Sequence, residues 1–141
     1  MNRFIAAMDH SGGSTGGVLD RYGVSWNEDN KMSLVHDMRL RMINSPDFTS
    51  DNIWAVIFYK DSVDRGLADI ANEKGIKPIL KIDSGVTELG MLKDFDLRGM
   101  INFAKDHNCW GTKMRSIVHD QFSSWRIVEQ QFELAQDICD A

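Results

Sequence analysis

Four stretches of the chain are apolar enough to form strands, and each is followed by residues spaced at the helical period. They are "RFIAAM" (3–8), "IWAVIFY" (53–59), "IKPILKID" (76–83) and "CWGTKMRSIV" (109–118). The second is apolar on both faces, as a parallel strand covered from both sides is. The third and fourth carry charges toward their C-terminal ends. Between them Leu34, Val35, Met38 and Met42 form one helical stripe, stopped by "NSP" at 44–46 because Pro46 disfavours helix in the residue before it. Val63, Leu67 and Ile70 form a second, with Asp61 or Ser62 as N-cap and Gly75 just past its end. Met100, Ile101 and Ala104 belong to a shorter third. Val128, Phe132, Ala135 and Cys139 form a fourth, opened by Ser123 or Ser124.

The order βαβαβαβα implies an α/β fold with a parallel sheet, since a chain returning to start a parallel neighbour needs a long crossover, usually a helix. Two architectures meet that pattern: an open, doubly wound sheet, or part of a (βα)8 barrel. A full barrel takes ~250 residues. The 141 residues here, read as one domain over 1–141, are close to half of one, a (βα)4 half-barrel.

Composition narrows the partners. The net charge is −5, and the 16 lysines and arginines are scattered rather than gathered into a stripe, which argues against a nucleic-acid backbone as ligand. The longest apolar run, 53–59, falls far short of the ~20 residues of a membrane helix. "MNRFIAAM" is too short for a signal-peptide core and runs straight into Asp9, so the expected location is cytoplasmic, away from membranes. Cys109, Cys139 and the 4 histidines share no ligand-like spacing, so neither a metal site nor a disulfide is expected.

Residues i and i+2 of a strand share a face, so Lys81 aligns with Asp83 and Lys113 with Arg115. With parallel strands, these four and Asp9 converge at the C-terminal rim, where parallel α/β proteins place their sites. The groups could simply pair with one another, Asp83 with Arg115 or Asp9 with Lys113. They could equally leave a vacancy for an anion, because an interior cation is costly to leave unpaired, and a phosphorylated substrate would fill it. The loop "DHSGGSTGG" (9–17) fits either a phosphate cradle, with Ser11, Gly12, Gly13 and Ser14 offering hydroxyl and backbone N–H donors, or a plain βα turn. It matches neither a Walker loop nor the dinucleotide fingerprint.

"AAMDHSGGSTGGVLDRYGV" (6–24), "MRLRMINSPDFT" (38–49), "ILKID" (79–83) and "GTKMRS" (111–116), in this order and approximate spacing, resemble the bacterial branch of class I fructose-bisphosphate aldolase. That resemblance implies a (βα)8 barrel and metal-independent, cofactor-free chemistry in which a lysine forms a Schiff base with a ketose. By position, Asp9 resembles the family's catalytic aspartate on the first strand, and Ser11 and Ser14 its 6-phosphate contacts. Lys81 resembles a third-strand lysine near that phosphate, and Lys113 and Arg115 resemble the fourth strand's substrate-binding pair. Ser84 stands where relatives carry lysine, and Lys60 where they carry an acidic residue or histidine. The resemblance covers the N-terminal half of the barrel only. The family's fifth-strand glutamate, its sixth-strand Schiff-base lysine and its second phosphate site all fall outside it.

A half-barrel leaves its first and fourth strands as bare edges. The expected remedy is a homodimer in which strand four of one copy pairs with strand one of the other, with a higher oligomer built from it as a further option. Each copy would then bring its own phosphate cradle to a sugar phosphorylated at both ends. Lys113 is the expected nucleophile, since Lys81 and Arg115 nearby would ease loss of its proton. Lys113 and Asp9 also resemble the transaldolase arrangement, a Schiff-base lysine on strand four with an aspartate on strand one. Asp9 is then the expected proton shuttle with Asp83 in reserve, and Lys81 is the second candidate nucleophile. The rival readings are a non-catalytic, truncated aldolase that binds sugar phosphates or pairs with a full-length aldolase, and a flavodoxin-like nucleotide binder. The four tryptophans and eight methionines read as core or interface fillers.

Overall fold

The computed structural model describes residues 4–10, 15–118 and 124–141. The chain runs β1 (Phe4–Met8), α1 (Thr15–Arg21), α2 (Lys31–Ile43), β2 (Ile53–Phe58), α3 (Lys60–Asp64), α4 (Leu67–Glu73), β3 (Lys77–Lys81), α5 (Leu97–Asp106), β4 (Gly111–Lys113) and α6 (Ser124–Cys139). All four strands join one parallel sheet in the order β1-β2-β3-β4. Each strand lies beside its predecessor on the same side, so the sheet lacks the reversal point of a doubly wound fold. A flavodoxin-like sheet would hold its first strand inside, whereas β1 is an edge. The sequential order is that of a barrel wall, and the architecture is compatible with a half-barrel.

One face of the sheet carries the core. Met8, Val56, Phe58, Leu80 and Ile82 pack there with Ile43, Val63, Leu67, Ala71 and Ala104 of the helices. Alternate strand residues, Ala55, Ile79, Lys81 and Lys113, turn the other way. That second face is concave. In a flat sheet the edge strands β1 and β4 would stand about 14 Å apart, with side chains roughly perpendicular to it. Yet Lys113 Nζ at the end of β4 lies 2.6 Å from Asp9 Oδ2 just beyond β1. The two meet because the sheet curls toward them.

Several elements depart from the sequence expectation. "DHSGGSTGG" does not continue as a turn to residue 17, because α1 begins at Thr15. Gly16 lies inside that helix for a packing reason: a Cβ there would sit 2.4 Å from the Trp26 ring, which covers it. The helix expected around Val63, Leu67 and Ile70 is two helices. Gly66, at φ +84°, breaks them in a conformation that side-chain-bearing residues rarely adopt. Its start is Tyr59 in extended geometry, not Asp61 or Ser62, neither of which caps it. The fourth strand is only Gly111–Lys113, since the chain leaves the sheet after Lys113 and Ile117 N–H donates to Gly90 O at 3.0 Å instead.

Two helices present other faces than expected. On α2 the buried residues are Val35, Arg39 and Ile43, with Leu34 and Met38 half-buried and Met42 exposed. On α6 the buried residue is Ile127, and Val128, Phe132, Ala135 and Cys139 are exposed. Ser124 opens α6, and Ser123 lies outside the described residues. Among the described residues no helix is long and apolar enough to cross a membrane.

Candidate functional site

The C-terminal ends of the four strands open onto the concave face, and the candidate residues sit where strand register puts them. Lys81 is opposite Lys113 in the β3–β4 ladder, so both ammonium groups leave the sheet side by side. Asp9 follows β1 directly and reaches across to Lys113, which donates to its Oδ2 at 2.6 Å. Both are half-buried, in a setting where a charge-assisted hydrogen bond is stronger than on an open surface. Burial pushes the Asp9 carboxyl up, but the Lys113 hydrogen bond and charge, with the Lys81 charge behind them, outweigh it. The net result is a pKa below the ordinary aspartate value.

Asp83 is 3% exposed and its environment is built by the turn after β3. Its Oδ1 accepts from Gly85 N–H at 3.1 Å and lies 3.8 Å from Lys81 Nζ. Its Oδ2 is buried with no hydrogen-bond partner among the described residues. Of the two pairings open to the sequence, Asp9 with Lys113 forms, while Asp83 is paired with Lys81 rather than with Arg115. Arg115 lies beyond the end of β4 and is exposed, because β4 is too short to carry the i, i+2 alignment that far. Ser11, Gly12, Gly13 and Ser14 lie outside the described residues. The two positions that differ from the resembled family have local partners: Lys60 pairs with Asp64 at 2.8 Å and lies over the Phe103 ring, and Ser84 Oγ donates to Asp94 O at 3.2 Å.

Sequence reasoning missed Arg39. It is 2% exposed, on the buried face of α2. One guanidinium nitrogen donates to Ser62 Oγ at 2.7 Å and another to the His10 carbonyl, also at 2.7 Å. A single buried cation thus ties the chain just after β1 to the helix just after β2, and it holds the backbone beside Asp9. Burial lowers the Arg39 pKa from its ordinary value, against the charges of Asp61 and Asp9, which support the cation. The signal was its spacing: Arg39 sits four residues from both Val35 and Ile43, the helical repeat of a buried face. Arg39→Ala is expected to destabilise the fold by about 3 kcal/mol, through loss of two charge-assisted hydrogen bonds and an unpaired His10 carbonyl. Urea unfolding at constant slope measures it, and a wild-type midpoint would contradict the strut.

The site holds no thiol chemistry. Cys109 and Cys139 are both free, and burial, with Asp69 nearby, pushes the Cys109 thiol up to about 11, away from the reactive thiolate. Among the described residues no three His, Cys, Asp or Glu side chains gather as metal ligands do. What remains is an amine held against a carboxylate, with a second amine and a second carboxylate beside them, at the mouth of a curled parallel sheet. Such a set can bind an anion, shuttle a proton, and offer an amine to a carbonyl carbon. No protein-family model matches the chain.

Proposed function

We propose that this chain is a Schiff-base, metal-independent fructose-bisphosphate aldolase whose active site forms in a barrel assembled from two copies. It would cleave fructose 1,6-bisphosphate reversibly to dihydroxyacetone phosphate and glyceraldehyde 3-phosphate. The observation that carries this reading is the 2.6 Å contact between Lys113 and Asp9 across the concave face. It sets an amine beside a group able to take its proton, with Lys81 and Asp83 adjacent, in the place where parallel barrels bind substrates.

In this mechanism Lys113 passes a proton to Asp9 and its lone pair attacks the C2 carbonyl. Loss of water gives an iminium. A base removes the C4 hydroxyl proton, the C3–C4 bond breaks, and its electron pair flows into the iminium to give an enamine as the aldehyde leaves. Protonation of the enamine and hydrolysis then release dihydroxyacetone phosphate and restore the amine. Lys81 supplies a phosphate seat from each copy, joined, as the resemblance implies, by Ser11 and Ser14.

Among the described residues β1 and β4 have no strand on their outer edges, which supports the assembly. Unpaired strand edges recruit partners, and pairing β4 of one copy with β1 of another closes eight strands. Pure protein should therefore release dihydroxyacetone phosphate with chelator present. Absence of turnover, with sugar-phosphate binding retained, would favour the rival reading of a non-catalytic binder or a companion to a full-length aldolase.

A further inference from the structure

In the helix layer of a parallel barrel each helix turns one flank to the helix before it and the other to the helix after. On α6 one such flank is occupied and one open, and on α2 one meets α4 while the other, beside α1, leaves an open groove. On α2 the occupied side includes Leu40, packed against the core, in the direction of α4. Its opposite flank carries Leu34, Met38 and Met42, which with Leu19 and Tyr22 line an apolar groove of ≈ 890 Å³.

On α6, Ile127 is buried against the molecule, Gln130 exchanges hydrogen bonds of 2.8 and 3.2 Å with the Leu92 backbone, and Asp137 lines the cleft beside α5. The other flank, rotated about 120° from Ile127 at 3.6 residues per turn, carries Trp125, Val128 and Phe132. Trp125 is 70% and Phe132 68% exposed. An apolar ridge of this size standing in solvent marks a docking surface.

The two open flanks are of opposite hand: on α2 the open side is the one that faces a preceding helix, and on α6 the one that faces a following helix. They fit each other as successive members of one ring and cannot meet within a single chain, because α2 and α6 stand at opposite ends of the sheet. Charge agrees. Arg41 stands at the outer rim of the groove, between Met38 and Met42 along α2, and Glu129 at the outer rim of the ridge, between Val128 and Phe132 along α6. With parallel helix axes, as a barrel requires, the two rims bring opposite charges together.

We propose that the groove between α1 and α2 is the seat for the Trp125–Val128–Phe132 ridge of α6 from a second copy of this chain, with Arg41 facing Glu129 across the rim. This seating rests on the two-copy barrel proposed above and specifies its helix layer. By the two-fold it occurs twice per dimer, once on each side. It also covers Tyr22, Met38 and Met42, which shape a smaller cavity of ≈ 180 Å³ beside Arg39 and Thr15.

The test is the dimer dissociation constant by sedimentation equilibrium, with circular dichroism on every variant. Phe132→Asp and Met38→Lys alter side chains outside the core cluster, and each should weaken the dimer by at least about 30-fold, the scale of a central interface anchor. Arg41→Glu and Glu129→Arg should each weaken it about fivefold, and together restore it. A dimer indifferent to all four substitutions overturns this seating while leaving strand-edge assembly intact. A folded wild-type monomer at every concentration overturns the assembly and the seating together.

Discussion

Lys113→Met should reduce fructose 1,6-bisphosphate cleavage by about 10⁴-fold or more, the scale on which enzymes respond to loss of a covalent nucleophile. Methionine keeps the length and apolar stem of lysine but has no amine to form an iminium. The substitution also removes the hydrogen bond and charge that do most to stabilise the Asp9 carboxylate, so the Asp9 pKa should rise from its lowered value, with burial then opposed only by a backbone hydrogen bond and the Lys81 charge. Lys81→Met separates the two candidate amines. If Lys113 is the nucleophile, Lys81→Met should raise the KM for the phosphorylated sugar yet leave borohydride trapping intact. Retained activity in Lys113→Met with loss in Lys81→Met would move the chemistry to strand β3.

Asp9→Asn should lower kcat by about 10² to 10⁴-fold, the usual worth of a positioned proton-transfer group. It should also change the acid limb of stability, and the sign follows from the linkage between protonation and folding. The folded-state pKa of Asp9 is lower than its unfolded value, so the stabilisation from its pairing with Lys113 is fully present above the ordinary aspartate range near 3.8. It is lost as pH falls from there through the lower, folded value. Wild-type protein should therefore lose stability over that window by more than Asp9→Asn does. Identical acid limbs in urea titrations of the two proteins would contradict the pairing.

The inner strand β2 was readable from sequence because cover on both faces leaves an apolar run such as 53–59 that little else produces. The order of the strands in the sheet was not, since the same alternation of strand and helix serves a wound sheet and a barrel wall alike. The coming together of Asp9, Lys81, Asp83 and Lys113 followed from strand periodicity and the rule that sites lie at the C-terminal ends. That logic failed at Arg115, where the strand had already ended. The split at Gly66 was hidden because Val63, Leu67 and Ile70 keep helical spacing across the break.

The misread helix faces share one physical origin. Periodicity locates apolar stripes but cannot tell a stripe that meets the sheet from one that meets a neighbouring helix. On α2 the buried arginine interrupts the apolar pattern of the core face, so the apolar stripe Leu34, Val35, Met38 and Met42 shares only Val35 with it. On α6 the apolar residues Val128 and Phe132 face outward. Arg39 escaped notice because a buried cation looks in sequence like any polar position, and only its two partners, Ser62 and the His10 carbonyl, reveal its task.

The most direct measurement is borohydride reduction of the pure protein in the presence of dihydroxyacetone phosphate, followed by peptide mass mapping. An adduct on Lys113, absent from Lys113→Met and unaffected by chelator, is the predicted result. An unmodified Lys113 in protein that has been saturated with the ketose phosphate would contradict the Schiff-base site.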